Sequence, residues 1–283
     1  VDDTVLHLED EMEALVFSPS GNLLAAGGSH GKVRIWEVTG GPAASWPEVA
    51  AFGAPSGHLV FSPDGRLLAT SSYEETKLWD VATWQELRRI DGIGTTCFSP
   101  DGRWLAATTA ESGTDKTVLW DVQSGERGRS FDGSVGAFLP GEMLLTTYRQ
   151  SGVTVWDITS GEEVRFYARM GRYFSPDGQL SASRGQNGQA ILFDMETGEE
   201  VHVLGKPGTD VLRLAFSPDG ALLASTRRMW QTVTLWDVST GQVARVLRWH
   251  WNHIFGIAFS PDGRLLATGA YDGVIKVWDT ATW

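Results

Sequence analysis

Three short stretches of this chain carry residue types that do chemistry elsewhere. Gly27-Gly28-Ser29-His30-Gly31 has the G-x-S-x-G spacing of a hydrolase nucleophile, a device that works only on a strained turn from strand to helix. His250 and His253 are two imidazoles three residues apart, yet no Cys or carboxylate stands near them at the spacing a metal site needs. Gly28-Ser29-His30-Gly31-Lys32 ends on Val33, where a phosphate loop needs Ser or Thr after a longer glycine-rich turn. Each stretch is judged by the element that holds it.

Those elements form one repeated unit. A Phe-Ser-Pro-Asp/Ser-Gly segment begins at Phe17, Phe61, Phe98, Phe174, Phe216 and Phe259, with a degenerate copy at Phe138-Leu139-Pro140-Gly141. About twenty residues later an apolar run ends in an aromatic and an acid. The pairs are Trp36-Glu37, Trp79-Asp80, Trp120-Asp121, Trp156-Asp157, Phe193-Asp194, Trp236-Asp237 and Trp278-Asp279. Pro sets φ inside the first signal and Gly permits a positive φ at its end, so this is a hairpin turn. Alternating runs flank it, as in Ile257-Ala258-Phe259, Leu265-Leu266-Ala267-Thr268 and Val274-Ile275-Lys276-Val277-Trp278. After each aromatic-acid pair a polar turn leads to a fourth alternating run, such as Glu163-Val164-Arg165-Phe166-Tyr167. Alternation with period two predicts strands, here a, b, c and d of an antiparallel blade. The G-x-S-x-G stretch then joins strand b to strand c and is a hairpin loop.

With these punctuators at a period of about forty residues, the units resemble WD40 repeats across essentially the whole chain. The resemblance implies an all-β, seven-bladed propeller of four antiparallel strands per blade. Residues Thr4-Val5-Leu6-His7-Leu8 have no blade of their own, and the last unit stops at Trp283 before its strand d. The N-terminal strand is therefore expected to complete the last blade and close the ring, removing two sheet edges. Residues 1–283 read as one domain. The chain starts at Val1 without a leader, which reads as a domain trimmed from a longer, bacterial-type protein; similar propellers in bacteria are fused to kinases, ATPases and other signalling proteins.

Family repeats hold each blade with a Gly-His pair and an Asp. Only the last unit matches, through His250, Thr268, Asp272 and Trp278, with Trp249 in place of the Gly. Elsewhere the Asp position holds His30, Gln150, Asn187 or Trp230. Apolar packing is expected to replace that network.

The b–c loops and d–a crossings share one face of such a disc, the top. Trp230 is expected in the b–c loop of blade 6, and Trp249 and Trp251 on the crossing into blade 7, near His253, Phe255 and Tyr271. Large aromatics on loops either anchor a protein partner or fold down over the channel and ring edge. Arg149, Arg169, Arg172, Arg184, Arg227 and Arg228 fall on loops of blades 4 to 6, while Glu9, Asp10, Glu11 and Glu13 lead into blade 1. The arginines either recognise an acidic segment or pair with local acids. Trp46, Trp84, Trp104 and Trp283 fall off this face and read as edge packing.

A net charge of −12 argues against nucleic-acid binding. No apolar run approaches the ~18 residues of a membrane span, and the single Cys97 fits a reducing cytoplasm as a buried thiol. No cofactor or metal is implied, and ring closure favours a monomer. The resulting expectation is a non-catalytic scaffold that binds a protein or peptide, an acidic segment or another domain of the same parent chain among the candidates, through its top loops. The alternative is an anion or small-molecule sensor using the arginines around the central channel.

Overall fold

A computed structural model describes residues 4–8, 10–111, 113–227 and 230–283, the side chains of Glu111 and Trp230 excepted. The strands form seven four-stranded antiparallel sheets. In the first six, the strands follow the chain order a, b, c, d. Blade 1 runs from Met12–Phe17 to Glu48–Gly53, and blade 4 from Ser134–Phe138 to Glu163–Tyr167. Blade 6 runs from Val211–Phe216 to Val243–Arg248. The only helical element among the described residues is one 3-10 turn, Ala43–Ser45.

The turn motif works through its serine. In blade 2 the Ser62 hydroxyl donates to Asp64 at 2.6 Å and accepts the Leu67 N–H at 2.9 Å, while Gly65, at φ 71°, donates its N–H to the Ser62 carbonyl. Ser99, Ser175, Ser217 and Ser260 repeat the arrangement, all buried. The serine hydroxyl is the first cause that holds the Asp64, Asp177, Asp219 and Asp262 carboxyls below their usual values. Each such buried hydroxyl is satisfied as donor and acceptor, which removes the penalty of leaving it unpaired.

The acid of the aromatic-acid pair caps the c–d turn. Asp80 accepts both the backbone N–H and the hydroxyl of Thr83 at 2.8 Å, and Asp121, Asp157, Asp194, Asp237 and Asp279 cap equivalent turns. Blade 1 has Glu37 at this place, and its c–d connection is the long one that carries the 3-10 turn.

Apolar residues gather at the seven contacts between blades, so the core is a wheel of interfaces. Trp36, Phe17 and Leu24 of blade 1 meet Leu6, Ile275 and Val277 of blade 7. The interface of blades 4 and 5 is thinner, with five buried apolar residues among the described ones, two of them Met170 and Met195.

A second tie runs around the circumference. In blades 3 to 6 the c–d turn holds a glycine at positive φ (Gly125, Gly161, Gly198, Gly241), and a polar side chain from the outer strand of the preceding blade lies against that turn. Arg88 donates to Ser124 O at 2.6 Å and Arg129 to Ser160 O at 2.6 Å. Arg165 reaches Met195 O at 3.1 Å, and the His202 ring lies 3.3 Å from Ser239 O. Blades 2 and 7 reverse the device. Trp84 and Trp283 take the left-handed position at φ 55° and 57°, and their rings reach back to Phe52, at 6.0 Å, and to Arg245, at 5.9 Å. Trp46 is buried and Trp104 lies under Arg103 at 4.8 Å, so all four off-face tryptophans pack at edges.

The N-terminal strand Val5–His7 pairs antiparallel with Val274–Asp279 in the register Val5 with Lys276, Leu6 with Ile275 and His7 with Val274. It supplies strand d of blade 7, as the orphan segment implied. Leu8, fully buried between blades 7 and 1, follows it. Leu8→Ala should cost about 2–4 kcal/mol in chemical denaturation, whereas Leu87→Ala, on an exposed outer-strand position, should change stability by less than about 0.5 kcal/mol.

Candidate functional site on the loop face

The antiparallel order of each blade puts every b–c loop and d–a crossing on the same face. Trp251, on the crossing into blade 7, is 85% exposed, and the Gln231 amide donates to its carbonyl at 3.0 Å. Tyr271, in the b–c loop of blade 7, is 38% exposed and donates its backbone N–H to His253 O at 2.8 Å. Glu11 hydrogen-bonds the Tyr271 hydroxyl and pushes its pKa up. Phe255 belongs to strand a of blade 7, not to a loop, with its ring 5.5 Å from Tyr271.

Trp249 is half-buried: Lys276 Nζ stands 4.9 Å from its ring centre, and the His250 ring meets it edge-on at 5.4 Å. It is packed, where the sequence left open an exposed anchor. Trp230 starts strand c of blade 6, paired with Arg227, and so is not in the b–c loop. Its side chain, like all of Arg228 and Glu9, lies outside the described residues. Tyr73, in the b–c loop of blade 2 and 89% exposed, went unremarked in the sequence because its neighbours give it no motif.

The arginines are largely neutralised by acids distant in sequence. Arg184 pairs with Asp210 at 2.5 Å, Arg169 with Glu200 at 2.9 Å and Arg149 with Asp132 at 3.9 Å. Arg227 Nε donates to Thr209 O at 2.9 Å. Arg172 differs: its guanidinium lies 4.4 Å from the Tyr148 ring centre and makes no ion pair among the described residues.

Half of the blade-locking network survives more widely than the sequence implied. The indole N–H donates to a strand-b hydroxyl in Trp79 to Thr70 (3.0 Å), Trp156 to Thr147 (2.9 Å), Trp236 to Ser225 (2.8 Å) and Trp278 to Thr268 (2.9 Å). In blade 3 the same register position is Ala107, and the Trp120 N–H is buried without a partner. His250 hydrogen-bonds Thr268 at 2.7 Å through Nε2, but its Nδ1 has no partner, so the Asp272 link is not made. Burial pushes the His250 pKa down to about 4.

The channel wall holds a further pair. Burial, with Arg213 of blade 6 nearby, pushes His58 of blade 2 down to about 4, and its Nδ1 is also unpartnered. Cys97 is half-buried, and desolvation of its thiol pushes its pKa up to about 12, which disfavours the reactive thiolate.

Ser29, His30 and Asp10 come together without forming a nucleophile relay. The Ser29 hydroxyl, at 3.2 Å, and Asp10, at 2.5 Å, both meet His30 Nδ1, whereas a relay needs one partner on each ring nitrogen. The loop joins strands b and c of blade 1, as the repeat pattern requires. Among the described residues no group of three or more His, Cys, Asp or Glu could hold a metal ion, and no helix is long and apolar enough to cross a membrane.

The WD40 profile (WD domain, G-beta repeat) matches residues 5–37, 87–121, 198–237 and 241–279, just over half of the chain. The chain belongs to the WD40 family. WD40 propellers typically serve as non-catalytic interaction scaffolds. Similar proteins include Telomerase protein component 1 of Rattus norvegicus, 29% identical over 60% of this chain and 7% of that protein. Protein tipD of Dictyostelium discoideum is 24% identical over 76% of the chain and 38% of its own length. Target of rapamycin complex subunit wat1 of Schizosaccharomyces pombe is 30% identical over 48% of the chain and 45% of its own length. The chain thus spans less than half of each of these eukaryotic relatives.

The Asp10–His30 pair sets a pH window. Burial works to raise the Asp10 pKa, but hydrogen bonds from the His30 ring and from the His30 and Glu11 N–H groups outweigh it, and the net shift is downward from 3.8. The Asp10 hydrogen bond raises His30 above 6.5. The histidine's contribution to stability is full below 6.5 and is lost as pH rises through its raised folded value; that of Asp10 is full above 3.8 and is lost as pH falls through its lowered one. His30→Ala should therefore lower Tm most near about pH 5, with the gap to wild type narrowing by about pH 8, as thermal melts across this range would show.

Proposed function

We propose that this chain is a non-catalytic platform that binds a protein or peptide through its top loops. The observation that carries the reading is Trp251, almost fully exposed on the crossing into blade 7, two residues before His253, whose carbonyl accepts the N–H of the half-exposed Tyr271. Leaving an indole in water forgoes roughly 1.5–3 kcal/mol of burial, and rings held on rigid loops are the anchors that protein interfaces bury at their centres. Relatives whose names place them in assemblies, such as Target of rapamycin complex subunit wat1, agree with it.

The partner segment would seat an apolar residue on Trp251 and Tyr271. Where it crosses toward blade 5, Arg172 favours an acidic group. The reading takes the propeller as a single monomeric domain in the reducing cytoplasm, where the lone buried thiol of Cys97 needs no disulfide partner. No nucleic acid and no cofactor enters it.

Affinity capture from the source organism tests it. Wild type should recover a specific protein that Trp251→Ala, melting at the same temperature, recovers at least about tenfold less, as expected for the loss of an interface anchor. Equal recovery by both forms would reject the top-face reading.

A further inference from the structure

Blade 5 departs from the other six in two places that adjoin. Its strand a is only Tyr173–Phe174, where the other inner strands have four to six residues. Its aromatic-acid pair begins with Phe193, which has no N–H to donate. The register places Ser183 where Thr70, Thr147, Ser225 and Thr268 accept the indole N–H in other blades, since Ser181 pairs with Phe193 as Leu68 pairs with Trp79. Phe193 therefore frees the Ser183 hydroxyl, which has no hydrogen-bond partner among the described residues.

The shortened strand leaves a cavity of about 370 Å³ at the loop end of this blade, within the size range of ligand pockets, roughly 300–1,000 Å³. Its apolar wall includes Met170, Ile191, Phe193 and Leu214, and Ser183 and Arg172 also line it. The wall is fixed in advance: the Tyr148 hydroxyl donates to Gly171 O at 2.9 Å, and Gly171 sits so close to Ala182 that a side chain there would strike its backbone. Such preorganisation lowers the entropic cost of binding.

The charge at the cavity selects the ligand. Arg169, Arg172 and Arg184 all line it, but Glu200 and Asp210 neutralise two of them. One net positive charge remains, on Arg172. A phosphate dianion would be left half compensated, whereas a single carboxylate matches it, and a guanidinium is suited to a carboxylate by its forked donors.

We propose that this cavity binds a carboxylate carried on an apolar body, with Arg172 and the Ser183 hydroxyl as its polar contacts and the apolar wall around Phe193 enclosing the rest. The cavity is distinct from the Trp251–Tyr271 anchor, although Arg172 at its rim is shared with the proposed partner surface, and ligand binding in it does not depend on a macromolecule at Trp251. The carboxylate belongs either to a free organic acid or to a peptide C-terminus that ends in an apolar residue.

Isothermal titration calorimetry on the whole chain separates these sources. The probes are sodium phenylacetate, its neutral analogue phenylacetamide, and the peptide acetyl-Gly-Gly-Phe as free acid and as C-terminal amide. Phenylacetate or the peptide acid should bind while its amide does not. Arg172→Met should weaken the acid by at least about tenfold, the loss expected for a hydrogen bond to a charged group, and Ser183→Ala by less. Both variants should keep the wild-type melting curve, since Arg172 is exposed and Ser183 has no partner to lose. Binding of phenylacetate assigns a free acid; binding of the peptide acid alone assigns a C-terminus. No binding by either acid, equal binding by acid and amide, or an affinity unchanged in Arg172→Met overturns the proposal.

Discussion

The pairing of one three-residue strand with the end of the chain is the constraint on which the whole ring depends. Val5–His7 lies against Val274–Asp279, and without it blade 7 would show an unpaired edge while Leu6 and Leu8 left their interface. The core is divided among seven blade contacts, so a gap at one exposes the facing sides of two blades at once. Apolar packing alone would tolerate sliding between neighbouring sheets. The buried serine of the a–b turn in every blade but the fourth, and the Asp carboxylate of the c–d turn in every blade but the first, fix the loops, and the sheets then meet in one register.

Much of this was legible in the residues. The turn motif, the aromatic-acid pair and the orphan strand give the blades, their number and the closure, because period-two alternation and positive-φ glycines are local signals. The site was less legible, and the reason is physical. Arg184 and Asp210, or Arg169 and Glu200, lie far apart in the chain and meet only when neighbouring blades are assembled, so a row of arginines in the sequence overstates the free positive charge. Trp249 looks like a loop aromatic until Lys276 is placed over it. The exposure of Trp251 and Tyr271 could be read from the sequence because no structural role claimed their positions, whereas that of Tyr73 had no pattern around it to mark it.

Departures from the repeat are more informative than its regular copies. Ala107 leaves the Trp120 N–H unsatisfied inside blade 3, a loss of stability with no opening to solvent. Phe193 does the reverse in blade 5, where the donor is missing and the Ser183 hydroxyl is left over, beside an inner strand too short to fill the space. The thin interface of blades 4 and 5, filled partly by methionines that adapt to irregular gaps, borders that same cavity.

The circumferential ties have an evolutionary reading. In blades 3 to 6 a glycine in one turn is matched by a long polar side chain on the strand before it, and in blades 2 and 7 a tryptophan in the turn is matched by Phe52 or Arg245. Each join is thus written in two halves on different repeats. A repeat that is duplicated, deleted or moved carries the turn half of one join and the strand half of the next, so it fits only between neighbours with the matching halves. A block of blades that begins and ends on the same kind of join can therefore be exchanged without breaking the contact on either side.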